Sequence, residues 1–171
     1  MKYNGVVSLG IAIMQKICLM AGTFSQIYLH IVFAVSGRYN LLSRNIQEEV
    51  FKYISGIITN KGQKPIIVGG YTDHIHILVG IKPSCIISDL VRDIKNNSSG
   101  FINQKMDRLT RFSWQNGYGV FSCSHNQIDG IYNYIKNQAQ HHDKNGFKQE
   151  YIELLNQNDV EFNDIYMIDN E

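Results

Sequence analysis

Lys64-Pro65-Ile66-Ile67-Val68-Gly69-Gly70-Tyr71-Thr72-Asp73-His74-Ile75-His76-Ile77-Leu78-Val79-Gly80 is the stretch whose reading decides the fold. Two apolar runs, rich in β-branched residues, meet at a glycine pair, the pattern of a β-hairpin turning through Gly70 and Tyr71. Upstream, Phe24, Ile27, Leu29, Ile31, Phe33 and Val35 mark a strand that ends at Gly37. Asn40 to Asn60 follows as a helix, with Ser43 a candidate cap and Ile46, Val50, Tyr53, Ile54 and Ile57 at helical spacing. Downstream, the pattern predicts a helix from Cys85 to about Phe101, a strand over 117–123, a helix over 126–142 and a short helix over 148–155. The order β-α-β-β-α-β-α is the split ferredoxin-like, RRM-like arrangement. Its class is α+β, with a four-stranded antiparallel sheet and helices packed on one face.

A chain of 171 residues has room for one domain with short extensions, and 44% hydrophobic with 18% charged residues excludes wholesale disorder. A domain of about 150 residues buries roughly two-thirds of its unfolded surface, so an unassisted core is feasible. The net charge of +1 hides an asymmetry: residues 1–148 carry a balance of +8 and residues 149–171 a balance of −7. A basic body points to a polyanionic partner. The three cysteines, Cys18, Cys85 and Cys123, have no CxxC spacing and read as small hydrophobes in a reducing cytoplasm. No run of about 20 apolar residues exists, so no membrane span is expected. Residues 1–19 read as an upstream extension, with a weak signal peptide as the alternative, and residues 20–171 as the single domain.

His74-Ile75-His76 is the informative tripeptide. On a strand, side chains at i and i+2 share a face about 6.5–7 Å apart, so both imidazoles can converge on one metal while Ile75 and Ile77 enter the core. The competing reading is two polar residues on a solvent face. In the third helix Tyr134 and Gln138 stand at i and i+4, hence on one side. A Gln carbonyl is a hard oxygen ligand, so two His and a Gln suit Mg²⁺ or Mn²⁺, and a phenol beside a polarised phosphate is a candidate nucleophile. A tyrosine that simply packs along the helix rim is the plainer alternative, and Tyr132 is the rival nucleophile. Asp73 abuts the motif and by alternation points with Ile75, away from the histidines; support of a ligand histidine is the other reading. His30 and His125 read as structural, and His141 and His142 as structural or solvent-facing.

His74-Ile75-His76 followed by Tyr134-Ile135-Lys136-Asn137-Gln138 resembles the HUH single-tyrosine transposases of the insertion-sequence 200/605 type, including the REP-associated tyrosine transposases. The stretches 20–33, 114–122 and 137–142, and the tail from Glu150-Tyr151 to Tyr166, are similar to that family as well. The resemblance implies an enzyme that cuts and rejoins single-stranded DNA. His74, His76 and Gln138 would hold Mg²⁺ or Mn²⁺, and Tyr134 would carry a 5′-phosphotyrosine. It also implies hairpins at element ends as substrate, a homodimer that often completes each site in trans, no nucleotide cofactor and a cytoplasmic location. Lys61, Lys64, Arg92, Lys95, Arg108, Arg111 and Lys136 are the candidate phosphate contacts, with Trp114, Tyr118 and Phe121 as stacking platforms. Ser98-Ser99-Gly100 reads either as a phosphate donor or as a helix-ending turn. The rival functions are a non-catalytic single-strand binder or repressor derived from a transposase, and a replication-type nickase. The second commonly supplies a third histidine where this chain has Gln138.

Overall fold

The computed structural model describes residues 24–38, 42–106, 111–138 and 146–163. Residues 1–19, Cys18 among them, lie outside these, as do Arg108, His141 and His142. Four strands, β1 (Ile27–Ala34), β2 (Lys64–Gly70), β3 (His74–Ile81) and β4 (Gly119–Cys123), form one antiparallel sheet in the order β2-β3-β1-β4. The helices are α1 (Arg44–Asn60), α2 (Ile87–Lys105), α3 (Ile128–Lys136) and α4 (Phe147–Gln157). The expected order of elements and the α+β class are therefore present.

Alternation divides the central strands cleanly. Leu29, Ile31, Phe33, Ile75, Ile77 and Val79 face α1 and α2, whose Val50, Ile54, Ile58, Leu90, Val91, Ile94 and Ile102 complete the main core. The opposite face bears His30, Val32, Ala34, His74 and His76. There Val32, Ala34 and Phe121 meet Phe147 and Leu155 of α4 in a second, smaller cluster. The sequence pattern placed the helices on one face; α3 and α4 in fact roof the other. A sheet with two apolar faces needs a cover on each, and only the first was drawn from the ferredoxin-like order.

Two glycines set how closely that roof approaches. A Cβ on Gly69 would lie 2.8 Å from Ile135 Cγ2 and 3.0 Å from the Ile135 carbonyl oxygen, so α3 rests directly on β2 backbone. A Cβ on Gly119 would lie 2.9 Å from the Tyr151 hydroxyl, so the Tyr151 side chain of α4 packs against the start of β4. On the face that carries the histidines, α3 thus meets the sheet at backbone contact distance and α4 meets it through a side chain.

Local differences from the sequence reading have simple causes. Helix α2 runs through Ser98-Ser99-Gly100 to Lys105, which excludes the helix-ending turn. The Ser98 hydroxyl donates to the Ile94 carbonyl at 2.6 Å and accepts from Trp114 Nε1 at 2.8 Å, so it is buried inside the helix packing. Helix α3 starts after a single turn at 125–127 and closes at Lys136, with Asn137 as its C-cap. Ser43 caps α1 by position, without a side-chain bond. Among the described residues no helix is long and apolar enough to cross a membrane.

Candidate active site

His74 and His76 are fully buried, two residues apart on β3, under the roof made by α3 and α4. Their Nε2 atoms face a carboxylate that the sequence reading had not selected, Glu150 of α4. Glu150 Oε1 lies 3.1 Å from His76 Nε2, and Oε2 lies 3.7 Å from His74 Nε2. From α3, Tyr134 donates its hydroxyl hydrogen to Glu150 Oε1, and Gln138, just past the end of that helix, donates through Nε2 to the same oxygen at 2.8 Å. Gln138 Oε1 is 3.3 Å from His74 Nε2. The four expected side chains therefore meet within one chain, and Glu150 stands at their centre.

Each imidazole is gripped on its other nitrogen. His74 Nδ1 is 2.7 Å from Asp73 Oδ1, and His76 Nδ1 is 2.9 Å from His30 Nε2. Asp73 was expected to point away from the pair. It belongs to the turn before β3 begins at His74, so strand alternation does not govern it. His30, read as structural, is buried against His76, and Phe147 stacks on the His74 ring at 4.6 Å between centroids. His125 stacks on Tyr28 outside the site.

Burial and contact charges act on the groups in opposite senses. Burial, then the hydrogen bond and charge of Glu150, push the Tyr134 phenol well above its ordinary value. Burial also opposes ionisation of Glu150. The hydrogen bond and charge of His76, the charge of His74 and the Tyr134 hydrogen bond outweigh it, holding the carboxyl well below the usual range. Burial and the charge of His76 pull His30 down to about 3, against Glu150. The phenol and the carboxylate are thus driven apart, one kept protonated and the other ionised.

The donor set fits a divalent cation. His74, His76 and Glu150 each offer a ligand atom, and these atoms all lie within 4.8 Å of one another, each from a buried residue. Two imidazole nitrogens with a carboxylate, and the Gln138 carbonyl beside them, are a nitrogen–oxygen set suited to Mn²⁺, Mg²⁺ or Zn²⁺.

The candidate phosphate contacts separate by layer. Lys136 is exposed on α3, the helix that carries Tyr134, and Lys64 is exposed at the start of β2. Lys61, Arg92 and Lys95 belong to the opposite helical layer. Lys61 pairs with Asp93, and Arg92 pairs with Asp89 at 2.7 Å and Asp93 at 3.1 Å. Lys95 Nζ donates to the carbonyls of Gln115, Asn116 and Gly117 at 2.8, 3.3 and 2.6 Å, and burial lowers it to about 8. Arg111 is exposed. Among the stacking candidates Trp114 and Phe121 are buried and Tyr118 is exposed. Tyr132, the rival nucleophile, is also exposed.

Glu150 carried a legible signal. Phe147, Glu150, Tyr151, Leu154 and Leu155 recur at i, i+3, i+4, i+7 and i+8, so the acid lies within the apolar stripe of α4. An acid on that face must be paired when the helix docks. Only His30 gave no such sign, since any strand tolerates a histidine.

A comparison with curated proteins gives no match. Among solved structures, a candidate transposase from Deinococcus radiodurans R1 is similar over 68% of this chain and 94% of its own, at 23% identity and a TM-score of 0.55. A REP-associated tyrosine transposase bound to a REP hairpin is similar over 70% of this chain and 71% of its own, at 12% identity and a TM-score of 0.54. Both likenesses are of fold. The family model described as "Transposase IS200 like" matches residues 23–138, which include β1 to β4, both histidines, Tyr134 and Gln138. Matched over more than half its length, this chain belongs to the IS200-like transposases.

Proposed function

We propose that this transposase cleaves and rejoins single-stranded DNA through Tyr134, with a divalent cation held by His74 and His76 and by oxygens of Gln138 and Glu150. The observation that carries the reading is the meeting of the Tyr134 hydroxyl with both imidazoles and the Gln138 amide around one buried carboxylate. When bound, the cation would supply Lewis-acid polarisation of a phosphoryl oxygen.

Tyr134 Oη attacks phosphorus, the P–O3′ bond breaks with its electron pair on the 3′ oxygen, and the 5′ phosphate stays on the tyrosine; the proton lost by the phenol is balanced by the one the 3′ oxygen takes up to leave as a hydroxyl. The phosphodiester energy is kept in that bond, so rejoining by a 3′ hydroxyl needs neither a nucleotide cofactor nor a hydrolytic water. The phenolic proton is hydrogen-bonded to Glu150 Oε1, which fixes the direction of the attacking oxygen; the same bond keeps the phenol protonated until the phosphoryl bond begins to form. Gln138, bonded to the same carboxylate, fixes that oxygen's direction.

Hairpin DNA is the substrate that the REP-hairpin complex of the fold neighbour supports, and Lys136, Lys64 and Arg111 are exposed cations available to its phosphates. Lys61 and Arg92 are paired with acids and Lys95 is bonded to backbone carbonyls, all on the other helical layer, so they are not assigned to the hairpin. Cytoplasmic action and a homodimer complete the reading; light scattering tests the second.

The experiment is incubation of the protein with single-stranded hairpin DNA and Mn²⁺ or Mg²⁺, followed by denaturing electrophoresis. A covalent protein–DNA band is expected, lost on chelation and in Tyr134→Phe. A band that survives Tyr134→Phe removes Tyr134 from its role, and hairpin binding without any band favours the non-catalytic binder.

A further inference from the structure

His30 is carried by β1, paired with Leu78 of β3 and Phe121 of β4, and its side chain is 3% exposed. It lies diagonally across the strand pair from His76, within reach of a long ring. Its Nε2 is 2.9 Å from His76 Nδ1, and the two rings stack at 5.1 Å with 27° between planes. The Tyr134 ring stands edge-on to both, 6.4 Å from His30 and 5.7 Å from His76. One buried imidazole thus touches a candidate ligand and packs beside the candidate nucleophile.

We propose that His30 is a positioning residue of this site: it holds His76 by Nδ1 so that Nε2 faces the donor cluster, and it walls the ring of Tyr134. The inference rests on the cation site argued above. The chemistry is specific. A His76 that offers the Nε2 lone pair carries its proton on Nδ1, and that N–H needs a buried acceptor. His30 Nε2 is the acceptor at that place, as Asp73 Oδ1 is for His74. Outer partners of this kind fix ring orientation, and their loss typically weakens metal binding about 10–100-fold. A second imidazole in place of a carboxylate brings no further negative charge beside Glu150, so the hold on His76 leaves the charge of the cluster unchanged.

The test is calorimetric Mn²⁺ titration of the full chain, with adduct formation on hairpin DNA measured alongside. His30→Phe keeps a flat ring and removes the acceptor; His30→Gln puts an amide oxygen near the position of Nε2. Mn²⁺ affinity is expected to fall about 10–100-fold in His30→Phe and to recover most of that loss in His30→Gln, with adduct yield following. His30→Leu replaces His30→Phe if the latter fails to fold. His76→Ala is the reference for loss of a ligand. If the wild type takes up Mn²⁺ and His76→Ala does not, the cation site stands; wild-type affinity in His30→Phe then overturns the role of His30. Equal losses in the Phe and Gln variants overturn it too, because bulk packing would explain them. A wild type that takes up no Mn²⁺ overturns the cation site itself and the inference with it.

Discussion

Gly69→Ala is the most informative single change to this fold, because it moves the nucleophile without touching it. The added methyl would sit 2.8 Å from Ile135 Cγ2 and 3.0 Å from the Ile135 carbonyl oxygen. Comfortable contact between such atoms is about 3.5–4.0 Å. Ile135 is 1% exposed, so its side chain has no solvent to swing into, and its carbonyl is helix backbone. The strain is relieved by lifting α3 from β2 by roughly half an ångström to one ångström, the shortfall in that contact.

Tyr134 and Gln138 ride on that lift, while His74 and His76 stay on β3. Overpacking of this kind costs about 1–3 kcal/mol, and a shift near 1 Å at a reacting group can cost about 100-fold in rate. In a domain of this size each kcal/mol lowers the melting temperature by about 2–4 °C. Gly69→Ala should therefore fold and melt a few degrees lower, yet form the covalent adduct about 10–100-fold more slowly in single turnover. Gly56→Ala is the control. Nothing lies within 4 Å of a Cβ there, in the middle of α1, so it should keep the wild-type rate and gain up to about 1 kcal/mol. A folded Gly69→Ala that reacts as fast as the wild type refutes the claim that backbone contact between α3 and β2 sets the site.

Two further outcomes follow from groups on either side of the sheet. The pKa of Glu150 lies below its ordinary 4.5 in the folded chain, so its carboxylate contributes stability above that pH and loses it as the pH falls through the lowered value. In EDTA, the melting temperature of the wild type should fall more steeply below about pH 4.5 than that of Glu150→Gln; parallel curves would dismiss the ionic hold on Glu150. On the other face, Ser98→Ala leaves the buried Trp114 N–H without its acceptor and should cost about 1–3 kcal/mol in urea unfolding, with adduct formation unchanged. An unaltered midpoint would mean that Trp114 finds another partner.

What the sequence disclosed and what it withheld divide along a physical line. Period-two alternation in Leu29 to Val35 and in His74 to Val79 marks the core face of the sheet, and it does so because both central strands are buried on that side. The i, i+4 spacing of Tyr134 and Gln138 named a pair whose side chains both reach Glu150, although α3 closes at Lys136 and Gln138 stands one residue past its C-cap. Neither pattern says which face of the sheet receives the later helices. Gly69 leaves room for the Ile135 backbone of α3 and Gly119 for the Tyr151 side chain of α4, but a glycine in a strand reads equally well as a weak point or a turn.

Glu150 and Asp73 escape the sequence patterns for opposite reasons. Glu150 sits on an apolar helical stripe, where charge conflicts with the local pattern, and such a conflict is resolved only by partners from elsewhere in the chain. Asp73 conflicts with nothing locally; it was assigned to a strand that in fact begins one residue later. The first is an informative conflict and the second a matter of one residue at a strand boundary. Local rules break where the chain brings distant groups together, and here the break points straight at the site. An acid that the helix pattern rejects is the residue on which two histidines, a tyrosine and a glutamine converge.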